Sequence, residues 1–465
     1  MTVPPLEALA GLADTAWLVG GAVRDRLLGR PTADLDVVVQ ADDQRRLARA
    51  LARATRGHAF MLSEGFGVWR VVAPDGCWQL DLIPLSGETI ESDLAQRDFT
   101  INAIAEPLAG GGYVDPFGGV EDLRARRLRM VSAQAFAADP LRTLRLARLV
   151  SELGLEVDPE TAATASASSS ALSSVAAERI FAELKRIMVS DRALDGLAVM
   201  DRLGATAVVL PEVAALRGVQ QSRYHHLDVY DHTRAVLAEL IELERDPEPA
   251  FGDHADAIRA VFAEPLANEL DRGQALRFGA LFHDVAKPST RGVTSEGRVT
   301  FIGHDDAGAV MAGAALQRLR ASERLCEYVA ALTRNHLRLG FLVHDTPLDR
   351  HAIYRYLTAC APVAVDVTVL SVADRLATRG AGSGEAIARH VRLARELIGE
   401  ALAWRAEPPR APVRGDELAR ALRLAPGPQV GRILEVLAEE SFAGEIHTRE
   451  QAIARAHEVL DRLRA

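Results

Sequence analysis

Over residues 1–130 the apolar positions fall in short runs bounded by glycine, proline and aspartate, a pattern of strands mixed with helices. The runs AWLVG (Ala16–Gly20), LDVVV (Leu35–Val39), GVWRVVA (Gly67–Ala73) and WQLDLIPL (Trp78–Leu85) read as strands. DDQRRLARALARAT, between two of them, has helical period. From Asp139 onward nearly every run repeats with the period of a helix. ERIFAELKRIM, for example, puts Ile180, Phe181, Leu184, Ile187 and Met188 on one face. The serine-rich stretch Thr164–Ser174 reads as a loop or frayed helix end. Asp246–Gly273, acidic and containing proline, reads as an insertion or long connection, and Ala406–Pro412 (AEPPRAP) as a linker. The pattern predicts an α+β head followed by helices.

The stretch Trp17–Val39, WLVGGAVRDRLLGRPTADLDVVV, places two carboxylates inside an apolar strand. Side chains alternate along a strand, so Asp34 and Asp36 share a face. Two such carboxylates repel and are costly to bury unless a cation lies between them. Mg²⁺, an oxygen-liganded ion, bridges carboxylates to a triphosphate. Gly20 and Gly21 stand between strand and helix, where backbone N–H groups can approach a phosphate, and Arg24 lies a turn further on. Together these point to nucleotidyl transfer with in-line attack. Asp81, in WQLDLIPL, could add a third carboxylate from a neighbouring strand.

ADPLRTLR supports two readings. Asp139 suits a helix N-cap and Pro140 the first helical position, which would leave Arg142 on a solvated face. Alternatively the pair reads base edges. Cytosine and adenine each show an amino donor beside an acceptor nitrogen, matching an aspartate acceptor and an arginine donor. Uracil and guanine place a carbonyl where the amino group stands, which costs about 1–3 kcal/mol per unpaired buried group.

Histidines and aspartates gather in five later segments: YHHLDVYDHT, LFHDVAKP, FIGHDDAGA, TRNHLRLG and SVADRLATR. His232, His283, Asp284, His304, His336 and Asp374 form a mixed imidazole–carboxylate set suited to Mn²⁺, Fe²⁺, Co²⁺ or Ni²⁺. A hydroxide on such an ion hydrolyses phosphoesters. His225 and His226 are alternatives to His232, though a surface or RNA-contact role suits them better, and Lys287 is a phosphate contact candidate.

The chain has 465 residues, which predicts two to four domains. Its net charge of −10 speaks against indiscriminate nucleic-acid binding, while DLRARRLRM (Asp122–Met130) is either a basic RNA-facing patch or a solvated face. Cys77, Cys326 and Cys360 show neither disulfide nor zinc spacing, which fits a reducing cytoplasm. No apolar run approaches the ~18 residues of a membrane span, and the N-terminus lacks a signal-peptide pattern.

Five segments in order resemble the class II tRNA nucleotidyltransferases, the family of CCA-adding enzymes and bacterial poly(A) polymerases. They are LVGGAVRDRLLGR with ADLDVVV, QRDFTINAIA, DPFGGVEDLRARRLRMV, ADPLRTLRLARLVSELG and ERIFAELKRIM. The resemblance implies a polymerase-β-like nucleotidyltransferase head over residues 1–130 and an all-α neck over 131–220. The histidine segments resemble the HD phosphohydrolase superfamily, implying an HD domain over 221–400 and a helical, tRNA-contacting tail over 401–465. In the tail, APGPQVG offers N–H groups to an RNA phosphate or is a plain helix–turn–helix unit. By the resemblance Asp34 and Asp36 hold Mg²⁺, and Gly20, Gly21, Arg24, Arg97, Asp98 and Asn102 contact the nucleotide's sugar and phosphates. Asp139, Arg142 and Arg145 belong to the base-reading segment. His232, His283, Asp284 and Asp374 match the HD core, and His304 and His336 the extra positions of two-metal variants.

Two departures stand out: Gln96 replaces a usual arginine, and Ala138 a usual glutamate. The implied function is addition of C and A to tRNA from CTP and ATP, in the cytoplasm. Alternatives are a CC-adding specialist, a poly(A) polymerase and a non-catalytic RNA-binding scaffold. The connection Ile83–Gln96 is short, as in CC-restricted members.

Overall fold

The computed structural model describes residues 4–13, 15–40, 43–221, 227–379 and 383–464. The chain divides into two compact units, residues 1–209 and 210–465.

The first unit is built on a six-stranded mixed sheet. Its strands are β1 (Ala16–Val19), β2 (Asp34–Val39), β3 (His58–Ser63), β4 (Val68–Val72), β5 (Gln79–Pro84) and β6 (Ala105–Pro107), in the order β3-β4-β5-β2-β1-β6. β2 pairs parallel with β5 and antiparallel with β1. The four strand-like runs of the sequence are β1, β2, β4 and β5. β3 and β6 escaped the pattern: β3 is an edge strand with exposed Phe60, Met61 and Leu62 and no alternation to read. Leu18, Val19, Val37, Val38, Leu80 and Leu82 are fully buried, each contributing roughly 1.5–3 kcal/mol. The helix Gln44–Thr55 packs over the sheet through Leu47, Ala48 and Leu51.

After the sheet in the chain come the helices Arg142–Leu153, Ala177–Val189 and Ala193–Arg202, which pack on one another. All five apolar residues expected on one face of ERIFAELKRIM are buried. The serine-rich stretch is not a loop: the helix Pro159–Ser168 runs on into a 3-10 turn, Ser169–Ser174, with Leu172 buried. The basic run is largely structural, because buried Asp122 binds both Arg127 and Arg129.

The second unit is helical. Val229–Arg245, Arg272–Phe282, His304–Arg318, Glu323–Asn335 and Ala364–Ala377 form its core, with Ser383–Ala406 packed against the last. The acidic stretch expected as an insertion is ordered structure, with the helices Glu248–Phe251 and Ala255–Phe262 and a two-stranded ribbon. Buried Phe251, Ile258 and Leu266 tie it down. After residue 406 the helices Gly415–Leu422, Pro428–Ala443 and Arg449–Arg464 share a small core around Leu418, Ile433, Leu437 and Ala456. No single described helix is long and apolar enough to cross a membrane.

Candidate active sites

In the first unit, β1 runs into Gly20, whose φ of 69° lets the backbone turn into the helix Gly21–Leu27. The approach is close. A Cβ on Gly20 would stand 3.3 Å from an Arg97 guanidinium nitrogen and 3.7 Å from the Asp36 carboxylate. Asp36 faces Val19 of β1 on one side and Asp81 of β5 on the other. Asp34, at the exposed start of β2, accepts a 2.8 Å hydrogen bond from Gln79. Burial pushes the Asp36 carboxyl up; Asp81 and Asp34 add to the shift, against Arg97 and Arg70. A cluster of oxygen donors whose ionisation is opposed in this way fits a hard divalent cation.

The second segment closes on this site through a buried network. Asn102 bonds Arg24 (2.7 Å) and Asp98 (3.0 Å), and Asp98 takes Arg145 at 2.9 Å. Burial opposes ionisation of Asp98, but Arg145, Asn102 and the Phe99 N–H offset it and hold the carboxyl below its usual range. The chain continues from Arg145 and Arg148 to Glu183. Arg24 is buried and committed to Asp25 and Asn102. Arg97 bonds Asp93 at 2.9 Å. Gln96 accepts from Ser86 at 3.0 Å, so no cation stands at its position.

Asp139 caps the turn that leads into the helix Arg142–Leu153, its carbonyl accepting from Arg142 N at 3.0 Å. The helix begins at Arg142 with Leu141 before it, and Asp139 is extended. Its carboxylate accepts from Leu141 N (3.3 Å) and Arg179 (2.7 Å). Arg142 donates to the carbonyls of Gln96, Arg97 and Ala135, while its Nε is buried without a hydrogen-bond partner. Sequence reasoning missed Arg179, Glu183, Asp93 and Arg70. The first two lie four residues apart in ERIFAELKRIM, whose apolar face drew the attention.

In the second unit all six expected metal-ligating residues converge. The ligand atoms form two groups, His232–His283–Asp374 and Asp284–His304–His336, each within 4.8 Å. Asp284 stands 3.1 Å from His283, 3.3 Å from His304 and 3.6 Å from His336, and His232 lies 3.0 Å from Asp374. His283, His304 and His336 each direct Nδ1 at the carbonyl three residues back, at 2.7, 2.6 and 2.6 Å. A carbonyl only accepts, so Nδ1 carries the proton and Nε2 keeps its lone pair. Those three Nε2 atoms are buried without a hydrogen-bond partner and point at carboxylates, an arrangement that fits transition-metal ions.

Burial raises the Asp284 carboxyl, but His283 and Lys287 bring it well below the ordinary range. Lys287 spans Asp284 (2.6 Å) and Gln221 (2.7 Å). Over the cluster opens a cavity of about 740 Å³ lined by Lys287, Phe301, Phe341, Arg375 and Arg389. His225 and His226 lie outside the described residues.

Three family descriptions match: Poly A polymerase head domain over residues 16–76 and 79–129, Probable RNA and SrmB-binding site of polymerase A over 154–216, and HD domain over 229–379. An A-adding tRNA nucleotidyltransferase of Deinococcus radiodurans is 37% identical over 94% of this chain and 94% of its own. A CC-adding tRNA nucleotidyltransferase of Thermus thermophilus is 36% identical, over 94% and 92%. The Thermotoga maritima CCA-adding enzyme, solved in complex with tRNA, shares the fold with a TM-score of 0.61 at 18% identity, over 98% of this chain and 94% of that one. On this footing the chain belongs to the class II tRNA nucleotidyltransferases, the CCA-adding family, and carries the HD domain that some members hold behind the neck.

Proposed function

We propose that this protein adds C and A residues to the 3′ end of tRNA from CTP and ATP, without a nucleic-acid template. The observation that carries the reading is the Asp34–Asp36 face beside Gly20 and Arg97. Mg²⁺ held there would neutralise the carboxylates and polarise the α-phosphate as a Lewis acid. The Gly20–Gly21 turn gives a triphosphate close access to the backbone, and Arg97 supplies positive charge at that turn. Asp98 and Asn102, braced by Arg24 and Arg145, hold the sugar. Asp139 accepts from the amino group of C or A. The unpartnered Nε–H of Arg142 suits it as donor to the ring nitrogen.

In this reading head, neck, HD domain and tail divide at about residues 130, 220 and 400, and the enzyme works in the cytoplasm. The HD centre is a metal-dependent phosphohydrolase using Mn²⁺, Ni²⁺, Co²⁺ or Fe²⁺. His232, His283 and Asp374 would hold one ion and Asp284, His304 and His336 another.

A second reading, addition of CC alone, is favoured by one feature. Between β5 and the helix Ile90–Leu94 the chain spans only residues 85–89, pinned by a Thr89–Ser92 capping box and by Ser86 bonding Asp93. A mobile lever able to refit the pocket from C to A has little room there. Sizing the products on tRNA lacking its CCA end, with CTP, ATP and both, tests both readings. The main reading expects completion to CCA with both nucleotides, the second a stop at CC. Long A tails on unstructured RNA would identify a poly(A) polymerase instead.

A further inference from the structure

Asp81 is the carboxylate beside Asp36 in the parallel β2–β5 register, yet both of its oxygens are already engaged. Arg70, facing it from β4, donates Nε to one oxygen at 2.7 Å and Nη2 to the other at 2.8 Å. This planar two-point pairing is the strong form of an arginine–carboxylate contact. Asp81 and Arg70 are both largely shielded, with side-chain exposures of 14% and 25%, so solvent screens the pair only in part. The Arg70 charge also acts on Asp36 and Asp34. Three carboxylates on adjacent strands thus share a resident cation that belongs to the protein.

We propose that Arg70 is a positioning residue that competes with divalent metal for this carboxylate cluster. By holding Asp81 it lowers the affinity of the nucleotide-free Asp34–Asp36 site for an ion, leaving Asp81 available only through its outer lone pairs. The inference rests on the reading of Asp34 and Asp36 as ion ligands. It adds a residue outside the family-like segments and a consequence for the empty enzyme: a weakly held ion, which would enter chiefly with its triphosphate.

The test is Mn²⁺ binding to the full-length chain without nucleotide, read from free Mn²⁺ by electron paramagnetic resonance. The Mn²⁺ sites lost in Asp36→Ala define the transfer site and separate it from the HD centre. At those sites Arg70→Gln is expected to bind Mn²⁺ roughly tenfold tighter than wild type, because the Asp81 carboxylate that Arg70 held becomes available to the ion. The gain should vanish in Arg70→Gln/Asp81→Asn, because Arg70 acts through Asp81. Arg70→Lys, which keeps the charge but makes one contact, covers the case of a misfolded glutamine variant and should tighten binding a few-fold. Unchanged or weaker binding in the variant that folds overturns the inference and leaves the active-site reading standing, as does a gain that survives Asp81→Asn. If Asp36→Ala removes no Mn²⁺ site, both fall.

Discussion

Asp36 shows how a carboxylate at the proposed transfer site costs stability. Burial and the charges of Asp81 and Asp34 raise its folded pKa above the unfolded value. The unfolded chain therefore ionises more readily. The penalty is absent below the unfolded pKa of ~3.9 and complete once pH exceeds the raised folded value. With chelator at neutral pH, Asp36→Asn is expected to raise the thermal midpoint while transfer falls at least a hundredfold. A midpoint lowered by the substitution would show that Asp36 is held by interactions rather than strained by them. The pair itself was legible in the sequence, since alternation alone puts Asp34 and Asp36 on one face. Arg70 was not: its role depends on β4 lying beside β5, a pairing that no local pattern encodes.

Among the elements, the helix Arg142–Leu153 matters most, because one face carries both the base-reading candidate and the brace. Arg142 turns to the carbonyls of residues 96 and 97, and Arg145 to Asp98. Replacing Asp98 with Asn leaves Arg145 facing a lost counter-charge. We expect about 3 kcal/mol of destabilisation in urea unfolding. The Asp98 carboxyl is held low, so its contribution is present above the unfolded pKa and lost as pH falls through the folded one. The wild-type–variant difference should therefore shrink in acid. For Asp139→Ala and Arg142→Ala we expect UTP or GTP incorporation to rise relative to CTP, checked by competition among labelled nucleotides. Unaltered selectivity with a lowered thermal midpoint would assign both residues a structural role.

The sequence marked this helix and the capping turn before it, which the Arg142 N–H closes on the Asp139 carbonyl. It did not mark the tie from Asp139 to Arg179. That tie joins residues forty positions apart, beyond the reach of periodicity.

For the whole molecule, the two units carry separate candidate sites, and their histidines and aspartates could be separated by sequence order alone. The six residues that converge were legible as candidates because each sits at a helix end or on a helix face in a recognisable segment. Their division into two groups was not, since it depends on how five helices pack. Adding Mn²⁺ or Ni²⁺ at pH 8 is expected to raise a thermal transition of the wild-type chain. The rise should be lost in Asp284→Ala and should fade near pH 5, where imidazole protonation competes with metal. Calorimetry checks this, and the Asp284→Ala chain should retain nucleotidyl transfer.

The central claim is that Asp34 and Asp36 drive template-free transfer to tRNA. Its most direct test is single-turnover incorporation of labelled CTP into tRNA lacking its CCA end, comparing wild type with Asp34→Ala and Asp36→Ala at equal tRNA binding. Wild type is expected to show rapid, Mg²⁺-dependent addition, and either variant none above background. Wild-type rates in either variant would contradict the claim.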